Sequence, residues 1–203
     1  MSIRKTGKIR VRRAPEDARE NILAAAERLL VVEGPLALKL AEVAAAASVA
    51  NASVLHHFGS IDGLHAALME RMVRQLIAEV LALADKGGPT RDDTQEAVFQ
   101  ALFDVFENRN AARLAAWLEL TGEWRRMTHV REAVREVVAR RASFGDVTPK
   151  QAEDLVLISV TLAMGAGLFG RALAELIGKP SGHAREVATE MLRVFHAAQC
   201  EKR

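Results

Sequence analysis

Two short helical stretches divided by a turn constrain this chain more than any other feature in it. In residues 38–64, LKLAEVAAAASVANASVLHHFGSIDGL, the apolar Leu40, Val43, Ala44 and Ala47 recur at spacings of three and four, so they share one helical face. The periodicity breaks at Ser48, resumes with Val54 and Leu55, and ends at Phe58-Gly59. A helix of about two turns, a tight turn and a second short helix is the geometry that seats a recognition helix in the DNA major groove. Such helices can also pack as a plain small bundle, so the rest of the chain has to be weighed beside them.

That remainder reads as all-α. Half the 203 residues are hydrophobic, only 5 are proline, and no run of alternating β-branched residues occurs. A first helix starts near Pro15, with Glu16 and Asp17 suiting its positive end, and stops at Gly34-Pro35. Its stripe is Ile22, Leu23, Ala26, Leu29 and Leu30. Further helices are predicted over 39–46, 50–56, 61–84 (capped by Ser60) and 91–107. Others follow around Leu114–Leu120, over 128–141 and 149–177, and last over 182–198, about nine in all with no internal repeat. The division expected is a basic arm over 1–13, a helix-turn-helix domain over 14–60 and a larger helical body over 61–203.

Charge is unevenly placed. Residues 1–13 hold Arg4, Lys5, Lys8, Arg10, Arg12 and Arg13 and no acid; removing those six charges from a net of +2 leaves −4 for the rest. A basic arm on a mildly acidic body suits a polyanion partner at one end, although a solubilising tail has the same composition. The single cysteine, Cys200, excludes an intramolecular disulfide and a multi-cysteine metal site. Charges are read as interrupting every apolar run, and the basic N-terminus lacks the apolar core of a signal peptide. The expectation is a soluble cytoplasmic protein with no membrane partner.

Residues 16–66 resemble the DNA-binding domain of the TetR family of transcriptional regulators. In that family the opening helix ends at a glycine, matched by Gly34; a helix of the form I-A-x-x-A leads into a G-V-S turn, matched by Val43, Ala44, Ala47, Ser48, Val49 and Ala50. The recognition helix then ends in an aromatic-histidine-aromatic-Phe run, here Leu55-His56-His57-Phe58, followed by Gly59-Ser60-Ile61-Asp62 and Leu64. The departures lie on the contact surface. Leu38-Lys39 replace a capping threonine, Ser48 a turn glycine, Asn51 a lysine, Leu55 and His57 two aromatics, and Ile61 another lysine. The resemblance implies DNA binding by a homodimer whose C-terminal helices enclose a small-molecule effector.

The residues expected to touch DNA are Arg10, Arg12 and Arg13 of the arm, Lys39, Asn51, Ser53, His56 and His57. Lysine and arginine reach phosphates, an arm can follow a minor groove, and short polar groups serve phosphates or base edges. With few long side chains on the recognition helix, DNA shape carries much of the specificity. His56 and His57 point about 100° apart with no further ligand at metal spacing, so neither a metal nor another cofactor is expected.

For an effector pocket, the large side chains of the central helices are the candidates: Phe99 and Phe103, Trp117, Trp124 and Met127, Phe144, Met164 and Phe169. Glu119, Glu123 and His129 would be polar anchors, and each of these residues also suits ordinary core packing. The effector expected is small and apolar. Gly165, Ala166, Gly167 and Gly170 in the long helix allow either close approach of two copies or a kink within one. No nucleophile motif, phosphate-binding glycine loop or carboxylate pair points to an enzyme. A helical adaptor, or a ligand-binding protein without specific DNA binding, is the alternative; it leaves the arm and turn motif without a role.

Overall fold

The computed structural model describes residues 15–86, 91–143 and 147–201. Nine helices occur among them and no strand. The small N-terminal part comprises α1 (Pro15–Glu33), α2 (Leu40–Ala46) and α3 (Asn51–Phe58). The body follows with α4 (Ile61–Lys86), α5 (Arg91–Phe103), α6 (Ala111–Thr121), α7 (Thr128–Ser143), α8 (Pro149–Leu176) and α9 (His183–Glu201). The expected boundaries agree with these to within a few residues.

Period and punctuation explain the elements. The α1 stripe Ile22, Leu23, Ala26 and Leu30 is buried, facing Val43, Ala44 and Ala47 of α2 and its turn, and Val54 of α3. Ser60 caps α4 by accepting a hydrogen bond from the Gly63 N–H at 3.0 Å. At α8, Thr148 and Gln151 form a reciprocal capping box, with Pro149 in the first turn. α4 serves both parts: Leu64 and Leu68 close the small bundle, while Met72 and Leu76 belong to the body. One cluster of buried apolar residues therefore runs from Ile22 through to Leu192.

Two wider π turns interrupt the body helices. Asp104–Asn108 follows α5, and Ala166–Gly170 lies within α8. They meet each other: a Cβ on Gly167 would lie 2.5 Å from the Phe106 carbonyl oxygen, so only glycine admits this approach. Gly170 is likewise closed in, its added Cβ falling 2.8 Å from Ala184 of α9. The glycines of α8 thus divide: Gly167 and Gly170 pack within the subunit, and Gly165 is exposed with open space around it.

The sequence reading of α8 needs one correction. No charge occurs between Asp154 and Arg171, and the 28-residue helix is long and apolar enough to cross a membrane by length and composition. Its apolar residues face three ways. Leu155 and Ala163 enter the core, Val156 and Val160 line a cavity, and Leu157 and Phe169 face outward. The core and the cavity wall account for two of these faces, and the third carries exposed apolar side chains.

Candidate nucleic-acid interface and ligand cavity

The turn between α2 and α3 is a Schellman closure. Val49 N–H donates to the Ala44 carbonyl at 2.9 Å and Ser48 N–H to Ala45 at 3.0 Å. The motif requires a left-handed residue, and Ser48 takes that position with φ +56. Asn21 of α1 fixes the turn from outside, its Nδ2 donating to the Ala47 carbonyl at 2.8 Å. Buried His65 of α4 secures the other end of α2: its Nε2–H donates to the Leu38 carbonyl at 3.0 Å.

This scaffold turns one face of α3 outward. Asn51, Ala52, Leu55 and His56 are exposed on it, Ser53 and His57 are half-buried, and Val54 points inward. Lys39 is exposed at the N-cap of α2, where it makes no side-chain cap bond. Lys39, Asn51, Ser53, His56 and His57 thus occupy the helix-turn-helix as the sequence reading supposed, whereas Arg10, Arg12 and Arg13 lie outside the described residues. Sequence reasoning missed Arg19, whose guanidinium sits 5.0 Å from the Phe58 ring centre and adds a cation beside the end of α3. No three His, Cys, Asp or Glu side chains gather at metal spacing among the described residues.

Polar contacts tie this part to the body. Arg71 of α4 donates from Nε to Glu20 of α1 at 2.9 Å and from Nη1 to Glu27. Arg109, just after the first π turn, also donates to Glu27, through Nε at 3.0 Å and through Nη2. Burial alone would lower the Arg71 pKa; the hydrogen bonds and charges of Glu20 and Glu27 outweigh it and hold the guanidinium above its ordinary value. Asn110, left-handed at φ +58, donates to the carbonyls of Leu30 and Val31 at 3.0 and 3.1 Å. The segment that ends the π turn therefore grips the C-terminal half of α1.

A cavity of about 600 Å³ lies in the body between α4, α5, α7 and α8, with His196 of α9 at its edge. Its wall is mostly aliphatic, including Val73, Ile77, Val98, Val134 and Val160, with Phe99 and Phe106 as aromatics. Thr94, Gln95, Ser159, Arg140, Arg141 and His196 are its polar members.

Of the predicted pocket residues whose side chains are described, only Phe99 lines this cavity. Phe103 is fully buried in the core beneath the Arg185 guanidinium, and Met127 and Met164 pack against that core. Trp117 meets His65 edge to face at 6.3 Å, while Trp124 is exposed under Arg125. Phe169 faces outward. Glu119 and Glu123 are not among the lining residues, and the side chains of Phe144 and His129 lie outside those described. The reason is physical: the other large side chains pack in or against the core, as Phe103 does, or lie at the surface, as Trp124 and Phe169 do, whereas this wall is built mostly from medium-sized aliphatic residues that leave space. The one available signal was the 130, 134, 137, 141 spacing on α7, which places three valines and Arg141 on one face.

Comparison with known proteins bears on both regions. Residues 22–68 match the family model described as bacterial regulatory proteins, tetR family. No curated protein sequence matches the chain. Among solved structures, the reduced form of NemR from E. coli is 21% identical, covering 88% of this chain and 97% of that one with a TM-score of 0.62. A TetR transcriptional regulator from Legionella pneumophila is 18% identical, with 86% and 95% covered and a TM-score of 0.64. The multidrug binding protein EbrR, complexed with ethidium, is 25% identical over 85% and 97%, with a TM-score of 0.56. Residues 22–68 thus match the tetR-family model, and the chain shares its fold over 86–88% of its length with these solved structures.

Proposed function

We propose that this protein is a ligand-responsive transcriptional repressor that binds a palindromic operator as a homodimer and releases it when a small effector enters the body. The observation that carries the reading is the outward face of α3, held on a helix-turn-helix that is linked at α1 to a body containing a cavity. On DNA, Asn51 and Ser53 would serve base edges or phosphates, Ala52 and Leu55 thymine methyl groups, and Lys39, His56 and His57 phosphates. The arginines of the arm would add phosphate contacts, with DNA shape carrying part of the specificity.

The dimer seam would form on α8 and α9. Leu157, Phe169 and Leu173 are exposed on one side of α8, aligned with Thr161 and Gly165 at steps of four. Val187, Met191 and Val194 form a matching stripe on α9. Two copies pairing these stripes would make a four-helix seam and set the recognition helices about one DNA turn apart.

Release would follow a physical route. Phe106 lines the cavity and belongs to the π turn, which passes into Arg109 and Asn110 and hence to Glu27, Leu30 and Val31 of α1. An effector pressing on Phe106 would shift α1, and with it the Asn21 contact to the turn. The test is fluorescence anisotropy of the full chain with the promoter DNA flanking its gene, read across a salt series. Tight binding that weakens steeply with salt is expected; no preference for that DNA over random sequence, even at low salt, would refute the reading.

A further inference from the structure

No side chain on α3 is both long and charged: residues 51–58 read NASVLHHF. Ala52, Leu55 and His56 recur at spacings of three and four on its outward face, and Asn51 lies one turn before Leu55. Leu55 is 41% exposed, although its neighbour Val54 is fully buried. Ser48 and Ala50, in the turn just ahead of α3, are exposed and short. From Leu38 to Phe58 the only lysine, arginine, aspartate or glutamate side chains are Lys39 and Glu42, both at the start of α2.

We infer that each operator half-site places thymines beneath Ala52 and Leu55, and that their 5-methyl groups, rather than hydrogen bonds, decide the base choice there. This rests on the operator-binding reading above and gives the DNA partner a chemical identity, A·T pairs read through a methyl group in the major groove. Direct readout there pairs arginine or lysine with guanine, asparagine with adenine, a carboxylate with cytosine and an apolar group with the thymine methyl. α3 has no arginine, lysine or carboxylate. Base edges are met by the N-terminal residues of a recognition helix. Here those are Asn51, Ala52 and, one turn on, Leu55, whereas His56 and His57 fall in the last turn with their rings edge to face at 5.4 Å. Asn51 suits adenine. Leu55 makes the sharper selection. Against a thymine methyl, its exposed surface leaves water for an apolar contact. Against the amino group of cytosine or the carbonyl of guanine, it would strip water from a polar group and return no hydrogen bond. The short Ser48 and Ala50 leave the start of α3 free to lie close to the base edges.

The test uses the full chain to select duplexes from a randomised library, then measures Kd for the recovered sequence by fluorescence anisotropy. Uracil, which is thymine without its methyl, replaces each thymine in turn. At one or two thymines of a half-site this should weaken binding about fourfold, as expected for one buried carbon, and about fifteenfold when both half-sites carry the change. 5-Methylcytosine at the same position should bind about fourfold more tightly than cytosine, because it restores the methyl beside a different hydrogen-bonding edge. Leu55→Ala truncates an exposed side chain and leaves Val54 and Phe58 in place. In that variant the uracil penalty at one of these thymines should fall below about twofold, whereas Leu55→Met, which keeps the apolar reach, should retain it. Sequence-selective binding in which no thymine is sensitive to uracil overturns the inference and leaves the regulator reading standing. So does a uracil penalty that Leu55→Ala reduces at no position, since that would report duplex shape instead. Failure to enrich any sequence, even at low salt, refutes the regulator reading and this inference together.

Discussion

Replacing Glu27 by glutamine keeps the side-chain shape but removes the charge that Arg71 and Arg109 share. Hydrogen bonds to charged groups contribute roughly 1.5–3 kcal/mol, and stripping one partner from a fully buried pair costs about 3–5 kcal/mol. This site is not dry: the side chains of Glu27, Arg71 and Arg109 are 15%, 14% and 26% exposed. Each arginine also keeps a second acceptor, Arg71 holding Glu20 at 2.7 Å and Arg109 holding Gln75 at 2.8 Å. The cost of Glu27→Gln is therefore expected near the low end, at about 2 kcal/mol, and that of Arg109→Met at about 1 kcal/mol. Because the two side chains act on one another, the double variant should lose about 1 kcal/mol less than the sum of the singles.

Urea unfolding of all four proteins, at one protomer concentration, gives the cycle directly from midpoints at unchanged slope. Additivity within about 0.3 kcal/mol would refute the coupling, since independent sites add to that level. So would a Glu27→Gln loss no larger than that of Glu42→Gln at an exposed position of α2. If the coupling is real, both single variants should also reduce the effect of a bound effector on operator affinity, because Glu27 holds α1 to the segment that follows Phe106.

Two further outcomes follow from the backbone. Gly63→Ala would place a Cβ 2.1 Å from the Phe58 carbonyl oxygen, a contact that backbone must move to relieve. A loss of about 1–3 kcal/mol in thermal melting is expected, with weakened operator binding; an unchanged melting temperature would refute this close packing of the α3–α4 junction. Ser48→Gly should stabilise the protein by up to about 1 kcal/mol, since relief of the left-handed strain exceeds the extra chain entropy glycine loses on folding. A drop in melting temperature would show that the turn does not require φ above zero.

How much was legible in the sequence differs between the two regions. The helix-turn-helix was readable because its information is local: stripes at three and four, a break at Ser48, Phe58-Gly59 as a stop and Ser60 as a cap. The positions of Lys39, Asn51 and His56 follow from those boundaries alone. The cavity was not readable, because a single sequence does not separate an apolar side chain that fills space from one that borders it. Phe103 and Phe99 are four residues apart on one helix and both are buried, yet Phe99 borders the cavity and Phe103 does not. Arg19 beside Phe58, and Glu27 between two arginines, depend on contacts between residues far apart in the chain.

By itself, then, the sequence determined the nine helices, the turn that orients α3 and the fold class, because caps, breaks and helical periodicity act over a few residues. It also contained the exposed stripes of α8 and α9 as patterns, without indicating which apolar face would remain uncovered. Only the tertiary structure decided that Gly167 faces Phe106, that Glu27 joins α1 to the body, and that Arg141 and His196 meet in the wall of a mostly aliphatic cavity. Those features arise where helices distant in sequence pack together, and the space left between them is a property of the whole bundle rather than of any one segment.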